Sequence, residues 1–169
     1  MFAFTDILCQ THSNDIQIKS LVNIALQRHE LLDELWNFAL SANPAAWKAI
    51  WIMDKIHDSH PELIQPYLKR MLENVEQLKQ SGQKRHILKL LSFNPLLGEP
   101  TGNFINYCFN IVQSRTEPVA GRVHAMQILY NITLLIPAFR NELRVVIEEV
   151  MIEGTPGIIS RGRKLLQTL

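Results

Sequence analysis

An all-α fold is predicted from three observations. Glycine is scarce, at 7 of 169 residues, and the alternation of β-branched and polar residues that marks strands is absent nearly everywhere. Apolar residues instead recur at three- and four-residue steps: Leu31, Leu32, Leu35, Phe38 and Ala39 draw one stripe, and Ile87, Leu88, Leu90 and Leu91 draw another. Prolines, third, stand where helices should begin. In chain order the pattern predicts helices at 15–27, 29–41, 44–58, 61–79, 83–93, 101–114, 117–135, 138–152 and 156–168. The first ten residues are expected to form a mobile stretch ahead of them.

Each boundary has a local reason. Asn43-Pro44 and Thr155-Pro156 place a capping side chain before a proline at the first helical position, where the missing N–H costs nothing and the fixed φ suits the helix. Ser59, Pro61 and Glu62 have the spacing of a capping box, in which Ser59 accepts from the N–H of residue 62 and Glu62 reaches back. Pro118 and Pro137 also mark helix starts. Pro66 falls inside the 61–79 segment, so that helix either kinks or begins only at Pro66. The longest break, 93–100, contains two prolines and a glycine and reads as a longer turn in preference to a functional loop. All connections are short, which makes neighbouring helices antiparallel hairpins.

Charge narrows the function. The chain carries 17 Lys+Arg against 16 Asp+Glu, with 47% hydrophobic and 20% charged residues, a globular composition with no basic excess to draw it to nucleic acid or an anionic membrane. Residues 1–84 hold 8 basic and 10 acidic groups, a balance of −2, and residues 85–169 hold 9 and 6, a balance of +3. No apolar run approaches the ~18 residues of a membrane span. Met1–Gln10 lacks a basic start and carries Asp6, which makes it a poor secretory signal. Cys9 and Cys108 fit no disulfide framework, and a cytoplasmic location is expected.

A weak repeat gives the helices an order. Lys48, Arg85 and Arg122 lie 37 residues apart, twice; each opens an apolar helix, and each such helix is followed by a second one. A further first-type helix at 158–166 has Arg161 or Arg163 in the matching place. A period of about 35–45 residues made of two helices is the signature of an α-solenoid, in which stacking completes a core that one pair cannot bury. The predicted organisation is a single domain over 1–169, with 1–43 as N-terminal capping helices and 44–169 as repeats. In Pro44, Pro118 and Pro156, which stand early in first-type helices, the chain resembles HEAT- and armadillo-type repeat proteins, although the 82–93 helix lacks the proline and most units lack the family's Asp. The resemblance implies a short right-handed α-α superhelix whose second helices line a concave face, and it implies no particular activity.

That implied face directs the search for a site. Lys69, Glu73 and Glu76 lie on one second helix, Asn103, Asn106, Asn110 and Gln113 with Tyr107 on the next, and Arg140, Asn141, Arg144 and Glu148 on the last. The asparagines stand out, because Asn is a mediocre helix former and three in eight residues cost propensity for no packing gain. They form either a plain solvated face or an amide-lined groove able to hydrogen-bond a peptide backbone. Trp47 and Trp51, one turn apart, are expected in the core, with Trp36 completing their cluster. Asp54, His57, Asp58 and His60 are the weak candidates for a metal, but they occupy a helix end with no supporting ligand motif, and no metal or cofactor is expected. Cys9 and Cys108 have no identifiable partner base, and no nucleophile or phosphate-binding motif occurs.

The expected function is therefore a non-enzymatic scaffold module that binds a protein or peptide on Asn103, Asn106, Tyr107, Asn110, Arg140 and Arg144. The alternative is a relative of the HEAT-like alkylpurine DNA glycosylases, for which Trp47, Trp51, Asp54, Arg85 and Arg122 supply the residue types but not the basic surface. A unit that only dimerises through its terminal repeats is the third reading.

Overall fold

The computed structural model describes residues 4–10, 14–95 and 100–169. They form ten helices: α1 (Phe4–Gln10), α2 (Asp15–Gln27), α3 (Leu31–Ala39), α4 (Ala46–His57), α5 (Pro61–Asn74), α6 (Ser81–Phe93), α7 (Gly102–Gln113), α8 (Val119–Leu135), α9 (Arg140–Ile152) and α10 (Pro156–Leu166). Single 3₁₀ turns extend α5 and precede α9. No strand occurs among the described residues. The all-α expectation holds, and the nine helices read from the pattern are all present.

Local chemistry explains the starts. Asn14 caps α2 by accepting from the Gln17 N–H at 2.9 Å, and Thr101 caps α7 by accepting from Phe104 at 3.2 Å. Asn43 Oδ1 accepts from the Ala45 N–H at 2.8 Å, so the turn at Pro44 is formed as expected but regular α4 begins at Ala46. Pro61 and Pro156 each stand at the start of their helix.

Three expectations need correction. Residues 4–10 are helix, because Phe4 and Leu8 are one turn apart and both buried, which gives a short segment tertiary support. Ser59 makes no capping box: its hydroxyl donates back to the Ile56 carbonyl at 3.3 Å, and the cap position falls to His60, without a side-chain bond. Of the two readings of Pro66, a helix beginning there is excluded: it lies within α5, on its exposed side. In the 93–100 connection, residues 96–99 lie outside the described residues.

The chain divides into two compact units, 1–87 and 88–169. In the first, α1 packs beside α3 and α2 beside α4, while α4 also packs on α3 and α5. Leu8, Ile18, Leu35, Trp36, Ile50, Met53 and Met71 fill its interior. In the second, α7 lies beside α9 and α8 beside α10, with consecutive helices in contact; Phe104, Cys108, Met126, Ile132, Leu143, Ile147 and Ile158 form its core. Each unit thus has odd helices in one layer and even helices in the other, the arrangement of an α-solenoid. Lys48, Arg85, Arg122 and Arg161 fall on the even helices α4, α6, α8 and α10.

Trp36 is fully buried but does not join Trp47 and Trp51. It meets the Tyr67 ring at 6.2 Å, and the Arg70 guanidinium lies over both rings at 5.5 and 5.8 Å. The Tyr67 hydroxyl donates to Asp33 Oδ1 at 3.0 Å. Burial, then the bond to Asp33, pushes the phenol pKa up to about 12. A raised folded-state pKa on an acid means that stability is full below the unfolded value of about 10 and is lost as pH climbs from there towards 12. In an ultraviolet titration of the folded protein, one tyrosine should ionise last, and Tyr67→Phe should remove that late step together with the alkaline loss of stability. An unchanged late step in Tyr67→Phe would refute the assignment.

Candidate functional site

The expected face lies in the C-terminal unit, on α7 and its neighbour α9. Phe104, Ile105, Cys108, Ile111 and Val112 turn α7 into the core, and the 3.6-residue period then puts Asn103, Asn106, Asn110 and Gln113 together on the outside, all exposed. Tyr107 is half-buried among them and stacks on Phe104 at 6.5 Å. On α9, Arg140 is exposed and Arg144 half-buried.

Several asparagines elsewhere have structural roles, while Asn23, Asn37 and Asn141 are exposed like the stripe. Asn14 caps α2, Asn43 closes the turn before α4, Asn74 and Asn94 donate to the Arg70 and Leu90 carbonyls, and Asn131 donates to the Ser92 carbonyl. The side-chain amides of Asn103, Asn106, Asn110 and Gln113 make no hydrogen bond among the described residues.

The stripe ends at a cavity of about 430 Å³. Gln113, the connection residue Arg115, Arg122 of α8, Glu149 and Glu153 from the end of α9, and Thr155 line it. Arg115 pairs with Glu153 at 2.8 Å. Arg122 donates through Nε to the Val112 carbonyl at 2.9 Å, satisfying an orphan carbonyl in the last turn of α7. Burial, and secondarily the charge of Arg115, lowers the Arg122 pKa. Lys48 does the same for α1, donating to the Leu8 carbonyl at 3.2 Å. Two of the 37-residue-spaced bases are therefore helix C-caps. Sequence reasoning missed this cavity, since its walls come from the ends of three helices and no motif joins 113–115 to 149–155.

A second cavity, of about 520 Å³, lies between Phe93, Leu134 and Leu135. Beside it runs a polar chain in which Arg161 donates to Gln127, Gln127 to Asn131, and Asn131 to the Ser92 carbonyl. It ties α10 to α8 and α8 to the end of α6.

In the N-terminal unit the metal candidates Asp54, His57, Asp58 and His60 lie in the last turn of α4 and the connection after it. Asp54 is 2% exposed and accepts from His86 Nδ1 at 2.9 Å. Asp58 pairs with Lys55 at 3.6 Å, and His60 bonds Ser59. Among the described residues no group of three or more His, Cys, Asp or Glu side chains could hold a metal ion. Trp47 and Trp51 are half-buried rather than core. They stack on each other at 5.7 Å, and Trp51 stacks on His86 at 6.3 Å. Arg85 donates to His86 Nε2 at 3.1 Å; a guanidinium can only donate, so the imidazole carries its proton on Nδ1, facing Asp54. Cys9 is exposed on α1 and Cys108 is buried.

Stacked helix pairs with layered odd and even helices define an all-α solenoid. A family model described as a HEAT repeat domain matches residues 4–169, and the chain belongs to the HEAT repeat family. HEAT repeats generally serve as protein-interaction scaffolds. Neither the curated proteins nor the solved structures give a match. No helix among the described residues is long and apolar enough to cross a membrane.

Proposed function

We propose that this protein is a non-enzymatic scaffold that binds an extended peptide segment of a partner protein along α7, on Asn103, Asn106, Tyr107 and Asn110, with Arg140 and Arg144 of α9 flanking it. The observation that carries the reading is the line of open amides. Each offers a donor and an acceptor at one-turn intervals, and an extended peptide presents the complementary pair on its backbone. Tyr107 adds a half-exposed aromatic of the kind that anchors interfaces. The glycosylase alternative loses its main support, because its carboxylate, Asp54, is buried and engaged by His86.

A displayed library of random peptides, selected on the protein and counter-selected on Asn106→Arg/Asn110→Arg, tests the proposal. Peptides should enrich on the wild type and lose binding to the variant; equal recovery on both sinks it. Asn106→Ala/Asn110→Ala should separate binding from folding. Both sites are exposed, and Ala is the better helix former by roughly 0.5 kcal/mol per site. The double variant should thus bind less and unfold at slightly higher denaturant, whereas a loss of stability would show that the stripe is structural.

A further inference from the structure

We infer that the cavity at the end of the α7 stripe is a carboxylate site, in which Arg122 receives an acidic group of the peptide bound along α7. The inference rests on the peptide-binding reading of α7 and names the chemistry that reading lacks. Arg122 is half-buried and its Nε is committed to the Val112 carbonyl. Among the described residues its two terminal NH₂ groups have no hydrogen-bond or ion-pair partner, although a guanidinium offers five donors in a fork matched to a carboxylate. Arg115, on the same wall, is neutralised by Glu153. Glu149 also lines the cavity but forms no ion pair with Arg122. The lining is balanced in formal charge, but among the described residues Arg122 is the cavity cation whose terminal amino groups no carboxylate meets directly.

Burial and the neighbouring Arg115 both disfavour that cation, so a bound anion relieves an existing electrostatic cost. A singly charged carboxylate suits the site better than a phosphate dianion, because Glu149 and Glu153 repel a second negative charge. Position completes the case. Gln113 belongs both to the amide stripe and to the cavity wall, so a chain laid along Asn103–Asn110 arrives at Arg122 within one further helical turn.

The test is ¹H–¹⁵N NMR on the full chain, following the Arg122 Nε–Hε signal. The probes are N-acetylglutamate N-methylamide for an acidic side chain, N-acetylalanylalanine for a peptide C-terminus, the uncharged glutamine analogue, and inorganic phosphate. One or both carboxylate probes should shift the signal saturably, with a dissociation constant of about 1 mM or tighter, and whichever binds tighter names the source. Arg122→Lys should weaken binding about tenfold, since a point charge replaces a fork. Glu149→Gln, at an exposed residue without a structural role, should tighten it about threefold. An Arg122 signal that ignores both carboxylates in a folded protein, that responds equally to the glutamine analogue, or that prefers phosphate overturns the inference. The two readings fail separately. Library-selected peptides that bind Arg122→Lys as well as wild type remove the carboxylate site and leave the α7 face standing. A saturable carboxylate titration with no selectable peptide does the reverse.

Discussion

His86→Leu should lower the unfolding free energy by about 3–5 kcal/mol, and Asp54→Asn by only about 1–3 kcal/mol. The order follows from the tautomer. Arg85 donates to Nε2, so the Nδ1 proton points at Asp54 and the pair is a neutral imidazole against a carboxylate, both less than a tenth exposed. Removing the imidazole takes a hydrogen-bond donor from a buried carboxylate and also strips the ring that stacks on Trp51. Changing the carboxylate to an amide leaves an uncharged acceptor in place. Against a total of about 5–15 kcal/mol, the first change brings the N-terminal unit close to unfolding at ambient temperature. Tryptophan fluorescence during urea titration is a suitable readout, because Trp36, Trp47 and Trp51 all lie in that unit. Equal losses, or a larger loss in Asp54→Asn, would contradict the tautomer.

Gly162→Val should cost about 3 kcal/mol, at the upper end for overpacking. At Gly162 helix α10 lies close against α9: a Cβ there would overlap Met151 Sδ and sit 2.9 Å from Met151 Cγ and 3.0 Å from Ile147 Cγ2. The thioether end can swing aside, but the buried Ile147 cannot, so the helices must separate. Relief of glycine's poor helix propensity returns only about 1 kcal/mol at best. Gly102→Ala is the control, since a Cβ there meets nothing within 4 Å; it should be neutral or stabilising by up to about 1 kcal/mol. Circular dichroism melting of both variants checks the contrast, and a Gly162→Val melt matching the wild type would refute the close approach.

The all-α class was legible because it rests on periodicity, which survives without any tertiary knowledge. So were helix starts marked by a proline, as at Pro61 and Pro156, although Thr155 makes no side-chain cap bond and α4 begins two residues after Pro44. Helix α1 was not legible, since seven residues give too little periodicity and its stability comes from burying Phe4 and Leu8 against other helices. The metal reading grouped Asp54 with residues one turn along, whereas its partner, His86, is 32 positions away and no spacing rule links them. Trp47 and Trp51 share a face as their spacing demands, but depth depends on what packs over that face. The asparagine stripe could be placed on one side of α7 from sequence, and the cavity that ends it could not.

The division between the two units falls inside α6, between Ile87 and Leu88, instead of in a loop. A gene cut at that point leaves one fragment ending in residues 81–87 and the other beginning with 88–93, each far short of the ~12 residues that an isolated helix needs to hold its shape in water. Each portion would have to rely on tertiary packing alone to stay helical, as α1 does. For anyone dissecting the protein, a cut there divides one helix, while cuts in the turns at 43–45 or 114–118 would part α3 from α4 or α7 from α8, which pack on each other.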